Sequence, residues 1–165
     1  MDHNNPYESL HAYWRMPYIK AQKDWKREKN PFIDLKKSTN KQHHFLIKGS
    51  YCCVILNRFP YNTGHLLVLP YREIADISEL TSEEKYEFME QIIEGKSILL
   101  KALKPDAFNI GFNLGESAGA GIPIHLHCHI VPRWNGDHNF MPVISNTRVL
   151  PESLEGTWSV LKKHC

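Results

Sequence analysis

No apolar run in the 165-residue chain approaches the roughly 20 residues that a membrane-spanning helix needs. The opening Met1-Asp2-His3-Asn4-Asn5-Pro6 holds neither the basic stretch nor the apolar run of a secretory leader. A cytoplasmic protein with no membrane partner is therefore expected. Charge of one sign is also missing. With 20 Lys and Arg against 18 Asp and Glu the net charge is +2, too mild to argue for duplex nucleic acid as a partner, while a small anionic ligand stays compatible. Cysteine is scarce: Cys52 and Cys53 are adjacent, Cys128 and Cys165 stand alone, and none forms a Cys-x-x-Cys pair. Neighbouring strand residues point to opposite faces, so a bond between Cys52 and Cys53 would be strained, and reduced thiols follow.

What the chain does have is histidine. Three of its ten fall at 125, 127 and 129, within Ile124-His125-Leu126-His127-Cys128-His129-Ile130-Val131-Pro132-Arg133-Trp134. Read as a β-strand, this stretch puts the three imidazoles on one face and Ile124, Leu126, Cys128 and Ile130 on the other. Burial of the aliphatic face would fix the register and turn the histidines toward a cleft or solvent. Alternation also separates Cys128 from the imidazoles, which argues against a Cys–His nucleophile pair. Three readings of that face stay open at this point. A metal site is one, although four strand rises set the outer two Cα atoms about 13 Å apart, too far for all three to close on one ion. A row of imidazoles serving a polyanion, one nitrogen as nucleophile and the others as donors, is the second. An exposed polar strand face is the third.

The rest of the chain reads as a mixed fold. From His44 come two short apolar runs, His44–Lys48 and Tyr51–Asn57, joined by Gly49-Ser50 as a hairpin; His65–Pro70 reads as a third, antiparallel strand. Thr81-Ser82-Glu83-Glu84 forms a capping box that starts a helix, and Lys104-Pro105-Asp106 stops it. Tyr86, Met89, Ile93, Leu100 and Leu103, with Phe88, Ile92 and Leu99 beside them, supply its core stripe. A helix of that length over one sheet face leaves the other face for a site. Ala107–Asn113 is a further strand, and the loop after it carries Gly115, Gly119 and Gly121, whose backbone can approach a ligand closely. Residues 1–40 read as an irregular N-terminal extension held by Tyr7, Tyr13, Trp14, Tyr18 and Trp25, with a solvated basic run from Lys20 to Lys29, ahead of one catalytic domain at 41–165.

His125-Leu126-His127-Cys128-His129-Ile130-Val131 resembles the histidine-triad signature, His-φ-His-φ-His-φ-φ with φ hydrophobic, of the HIT superfamily of nucleotide hydrolases and transferases. Pro132–Asp137, Asn139–Val143 and Thr147–Glu152 resemble its bacterial branch of dinucleoside-polyphosphate (Ap4A) phosphorylases and hydrolases. The resemblance implies an α+β fold, an antiparallel sheet with one long helix packed on it, and a homodimer. It implies His127 as the nucleophile that takes a nucleotidyl group, with His125 orienting its neighbour and His129 donating to phosphate or leaving group. Asn57 falls on the family's nucleoside-contacting asparagine, Gly64-His65 on its Gly-His element beside the site, and Asn113 on the polar residue upstream of the triad. Gly119, Ala120 and Gly121 would lie against phosphate. Phosphorylase members carry Gly-Ser where this chain has Ala120-Gly121, which weakens the case for phosphate as the acceptor. Bacterial relatives often follow a segment like Tyr13–Ile19 with a Cys-x-x-Cys zinc half-site; the matching Asn30-Pro31-Phe32-Ile33-Asp34 has no cysteine, and neither metal nor cofactor is assigned. Two other activities remain open, a Hint-like phosphoramidase and a nucleotide-binding module without catalysis.

Overall fold

The computed structural model describes residues 30–39, 43–137 and 152–165. The aromatic anchors of the first 29 residues, the Lys20–Lys29 run and the stretch from 138 to 151 lie outside these. Five strands, β1 (Phe45–Lys48), β2 (Cys52–Leu56), β3 (Leu66–Pro70), β4 (Ala107–Phe112) and β5 (Cys128–Arg133), form one antiparallel sheet in the order β1-β2-β3-β5-β4. The long helix α1 (Ser82–Leu103) lies between β3 and β4 in sequence, and a second helix, α2 (Leu154–Lys162), ends the chain.

The capping box forms as expected. Thr81 Oγ1 accepts from the Glu84 amide at 3.2 Å and the Glu84 carboxylate accepts from the Thr81 amide at 2.8 Å. Arg72 closes on the same carboxylate at 2.7 Å and holds the Glu84 carboxyl below its usual range. At the other end Lys104 takes a left-handed conformation (φ 49°) and terminates α1.

The buried stripe of α1 is only part of the one expected: Phe88, Ile92 and Leu99 are buried and Leu103 packs against the core. Tyr86 is 72% exposed, and Met89, Ile93 and Leu100 are exposed with it, while Phe88, Ile92, Ile98 and Leu99 face the sheet with Glu84, Gln91 and Gly95. Gly95 explains the choice, because a Cβ there would come within 3.2 Å of Ile130 Cδ1. Its missing side chain lets helix and sheet approach, and that fixes which face turns inward.

The sheet has two unlike faces. One packs Cys52, Val54, Leu56, Leu66, Val68, Cys128 and Ile130 beneath α1. The other packs Phe45, Cys53, Ile55, Leu67 and Leu69 against Phe32 and Leu35, which arrive from the segment ahead of β1. That segment, residues 30–37, forms a strap that ends in a short 3-10 turn (Leu35–Lys37). Helix α2 was not anticipated from the sequence. Ser153 caps it, and it flanks β1, with Trp158 Nε1 donating to the Phe45 carbonyl at 3.1 Å and Lys162 Nζ to that of Leu46 at 2.8 Å. No helix among the described residues is long and apolar enough to cross a membrane.

Candidate functional site

The histidine stretch departs from a simple strand. Regular pairing begins only at Cys128; His125 closes a turn on the Ile122 carbonyl, and the Leu126 amide donates to Ile74. The His125 and Leu126 amides are thereby taken before the ladder begins. From Cys128 the alternation holds. Cys128 packs beneath α1, where burial pushes its thiol up to about 12, and His129 pairs with Leu67 on the strap face. The imidazoles are largely buried: His125, His127 and His129 are only 1%, 7% and 9% exposed. Phe32 of the strap covers them, with ring centroids 5.3 Å from His125 and 6.0 Å from His127.

Each ring is held in a definite protonation form by its partners. His127 Nδ1 lies 2.7 Å from the carbonyl oxygen of His125 and must carry the proton, which leaves the lone pair on Nε2. His125 is bound at both nitrogens, with Nε2–H donating to the Pro70 carbonyl at 2.8 Å and Nδ1 accepting from Asn30 Nδ2 at 2.9 Å. His65, buried at the start of β3, joins the cluster. Its Nδ1 accepts from the Tyr61 amide at 3.0 Å and from Asn57 Nδ2 at 3.2 Å, so its proton sits on Nε2 and is donated to His129 Nδ1 at 2.9 Å. That forces the remaining proton of His129 onto Nε2, a buried donor with no acceptor among the described residues.

Burial lowers the pKa of all three triad histidines, most for His129, which falls to about 4. Desolvation is the main cause in each case; the His127 charge acts in the same direction at His129 and at His125, where the Pro70 carbonyl and Glu73 act in the opposite one. The site therefore presents, at neutral pH, an uncharged Nε2 lone pair on His127 beside an Nε2–H donor on His129, with ring centroids 4.9 Å apart. Such a pair can attack an electrophilic phosphorus and hydrogen-bond the oxygens around it.

The HIT domain family model matches residues 38–136, the span that holds the sheet, α1 and all four clustered histidines. The chain belongs to the HIT domain family. It is 36% identical over 161 residues to a protein of Mycobacterium tuberculosis named AP-4-A phosphorylase, covering 93% of this chain and 82% of that one. It is 33% identical over 82 residues to the bis(5'-nucleosyl)-tetraphosphatase (asymmetrical) of Schizosaccharomyces pombe, covering 50% of this chain and 44% of that one. Among solved structures, a hypothetical histidine triad nucleotide-binding protein of Sulfolobus tokodaii superimposes with a TM-score of 0.63 at 24% identity, covering 82% of this chain and 88% of that one. That likeness carries the fold.

The other expected positions of this HIT chain separate into two groups. Asn57 joins the cluster directly, its Oδ1 accepting from the Phe59 amide so that Nδ2 points at His65. Asn113 follows the end of β4, whose last residue, Phe112, pairs with Cys128. The glycine loop is folded on itself: a 3-10 turn (Glu116–Ala118) uses the amides of Ala118, Gly119 and Ala120 on the carbonyls of Gly115 and Glu116, and Ala120 is buried. The expected cradle of free amides is thus already occupied at Gly119 and Ala120, and Gly121 lies beyond the turn. Arg133, just past the histidines, forms a forked ion pair with Asp137 at 2.6 and 2.7 Å and donates to Asn109. Among the described residues no group of three His, Cys, Asp or Glu side chains is arranged to hold a metal ion.

Two contributors escaped the sequence reading. Tyr61 stacks on His129 with ring centroids 5.5 Å apart and planes at 16°, and its position inside the polar break before β3 gave only a weak hint. Asn30 lay in the least patterned part of the chain, and nothing local marks it.

Proposed function

We propose that this HIT protein cleaves dinucleoside polyphosphates of the Ap4A type at an α-phosphate, through a nucleotide carried covalently on His127. The observation that carries the reading is the Nδ1–H of His127 spent on the His125 carbonyl, which aims a neutral Nε2 lone pair outward from the backbone. In the first step that lone pair forms an N–P bond, and the P–O bond to the polyphosphate leaving group breaks. The positive charge that develops on the ring is stabilised by the carbonyl on Nδ1. His129 Nε2–H donates to the phosphate or to the departing oxygen. A polyphosphate is a weak base and needs a hydrogen bond rather than a full proton, so a neutral imidazole suffices. In the second step an oxygen of water or inorganic phosphate forms a new P–O bond as the N–P bond breaks, His127 Nε2 recovers its electron pair, and the proton of an attacking water passes to solvent. Asn57, Asn113 and the Gly119-Ala120-Gly121 segment, the last by close backbone approach rather than through the occupied amides of Gly119 and Ala120, are assigned to the nucleotide, and His65, bound at both ring nitrogens within the protein, acts on the site by setting the form of His129.

The acceptor separates hydrolase from phosphorylase. The mycobacterial relative's name favours phosphate, and the Ala120-Gly121 pair favours water. Incubation with Ap4A, with and without inorganic phosphate, decides: ADP and ATP only with phosphate mark a phosphorylase, AMP and ATP regardless of phosphate an asymmetric hydrolase. His127→Ala should form neither. Absence of products from the wild type would refute the proposal.

We further infer a homodimer and a cytoplasmic location. β4 is an edge strand carrying exposed Ile110 and Phe112, and α1 exposes Tyr86, Met89 and Ile93. An edge that no other strand pairs among the described residues, beside apolar side chains, suits pairing with a second copy. Four unbonded cysteines fit a reducing compartment.

A further inference from the structure

His125 stands out among the triad because both of its ring nitrogens are spoken for inside the protein. It has no nitrogen left for a substrate. Its link to the chemistry is its main-chain carbonyl, which holds the Nδ1–H of His127. Whatever fixes the His125 ring therefore helps fix the carbonyl that aims the His127 lone pair.

The group on its Nδ1 is the amide of Asn30, from the strap. Three contacts determine how that amide is turned. Oδ1 accepts from the Phe32 amide at 2.9 Å, while Nδ2 donates to Glu73 Oε2 at 2.6 Å and to His125 Nδ1 at 2.9 Å. The reversed amide would set an oxygen against the carboxylate and another against the imidazole lone pair, and would strand the Phe32 amide. Asn30, Phe32 and His125 are buried, so the losses at the Phe32 amide and at His125 would be uncompensated by water. The two hydrogens of one amide thus connect a carboxylate at the surface to the first triad histidine.

We propose that Asn30 is a positioning residue of the site: with its amide oriented by Glu73, it locks His125 in the Nε2–H form and, through the His125 carbonyl, aligns His127. The arrangement also bars a proton from His125 Nδ1, because an imidazolium N–H there would meet the Asn30 N–H. The ionisable groups near the ring are Glu73, which favours its charged form, and His127, which opposes it. Asn30 decides between them by presenting a donor where protonation would require an acceptor. The inference rests on the assignment of His127 as the nucleophile only for its effect on rate. The state of the ring is independent of it.

The test is to record ring-nitrogen NMR signals of histidine-labelled protein across pH, together with kcat and KM on Ap4A and thermal melting. The variants are Asn30→Asp, Asn30→Ala, Glu73→Gln and Leu35→Ala. In the wild type His125 should remain a neutral Nε2–H ring where free imidazole titrates, near about pH 6.5. Asn30→Asp keeps the shape and replaces the donor by an acceptor, so His125 should become an imidazolium at neutral pH. Asn30→Ala should let His125 titrate more readily and lower kcat about tenfold with KM nearly unchanged. Glu73→Gln retains an acceptor for the Asn30 amide and should resemble the wild type in ring state and kcat. Leu35→Ala removes a buried strap anchor, and should lower the melting temperature while leaving the His125 signals in place. The proposal is overturned if His125 keeps its wild-type form and titration in both Asn30 variants, or if Leu35→Ala lowers kcat as much as Asn30→Ala does. Because the ring signals need no substrate, a wild type inactive on Ap4A would count against the proposed function and leave the Asn30 arm readable.

Discussion

His65 Nε2 donates its proton to His129 Nδ1 across 2.9 Å, and the Tyr61 amide on the far side of His65 makes that direction obligatory. One histidine outside the triad thereby dictates which nitrogen of another can donate toward the reaction centre. His65→Ala should remove that constraint, allow His129 to hold its proton on either nitrogen, and lower kcat by about 10- to 100-fold with a small change in KM. Steady-state kinetics check this. An unchanged kcat would mean that the His129 donor is not used.

The acid side of the pH profile follows from the same burial. Catalysis needs the His127 lone pair, and its pKa is held below the ordinary 6.5 chiefly by desolvation. The acid limb of kcat/KM should therefore lie below pH 6.5 rather than at it. Measurement from pH 4 to 8 in the presence of one substrate settles the position.

Stability should respond to pH with a definite sign. His129 titrates near 4 when folded and near 6.5 when free, so between those values the unfolded chain binds the extra proton. Its contribution is fully present above pH 6.5 and is lost as pH falls toward 4. The gap corresponds to about 3 kcal/mol, and His125 and His127 act in the same direction. Denaturant unfolding at pH 7 and pH 4.5 should show the lower stability at pH 4.5, and His129→Asn should reduce the difference.

A second surface is accessible to mutation without touching the histidines. Met89→Glu on α1 and Ile110→Glu on β4 both alter exposed positions. Each should leave the protomer's melting behaviour within about 1 kcal/mol and convert a dimeric species to a monomeric one by light scattering. A wild type that is monomeric at high concentration would contradict the assembly.

Gly64 precedes His65 with φ at +79°, and a Cβ there would meet Leu103 Cδ1 at 2.6 Å. Gly64→Ala should cost about 1–3 kcal/mol through backbone strain and contact with the end of α1. The loss should appear in both thermal melting and kcat, since His65 is the next residue.

How far the sequence could be read depended on how local the signal was. Strand pairing, the capping box at Thr81 and Glu84, and the stop at Lys104 rest on neighbouring residues, and each forms where expected. The apolar stripe expected on α1 is wider than the face that turns inward, because the helix holds two apolar stripes of the same period and only Phe88, Ile92 and Leu99 of the expected set, with Leu103 in part, pack on the core. The exposed one, Tyr86-Met89-Ile93-Leu100, looks the more hydrophobic, whereas the buried one is interrupted by Glu84, Gln91 and Gly95. Periodicity cannot choose between them; the close approach at Gly95 does. At the site, the spacing of His125, His127 and His129 was plain, but the forms of the rings depend on Asn30, Tyr61, His65 and Pro70. Those partners meet the triad only after folding, up to 95 residues away along the chain.

The covalent step is the centre of this account. Rapid quenching of the protein during turnover of Ap4A, followed by peptide mass spectrometry, reads it directly. The account predicts a peptide bearing one AMP on His127, formed and consumed within the turnover time, and absent from His127→Ala. Turnover at the wild-type rate by His127→Ala, or steady turnover by the wild type with no adduct on any histidine, would contradict it.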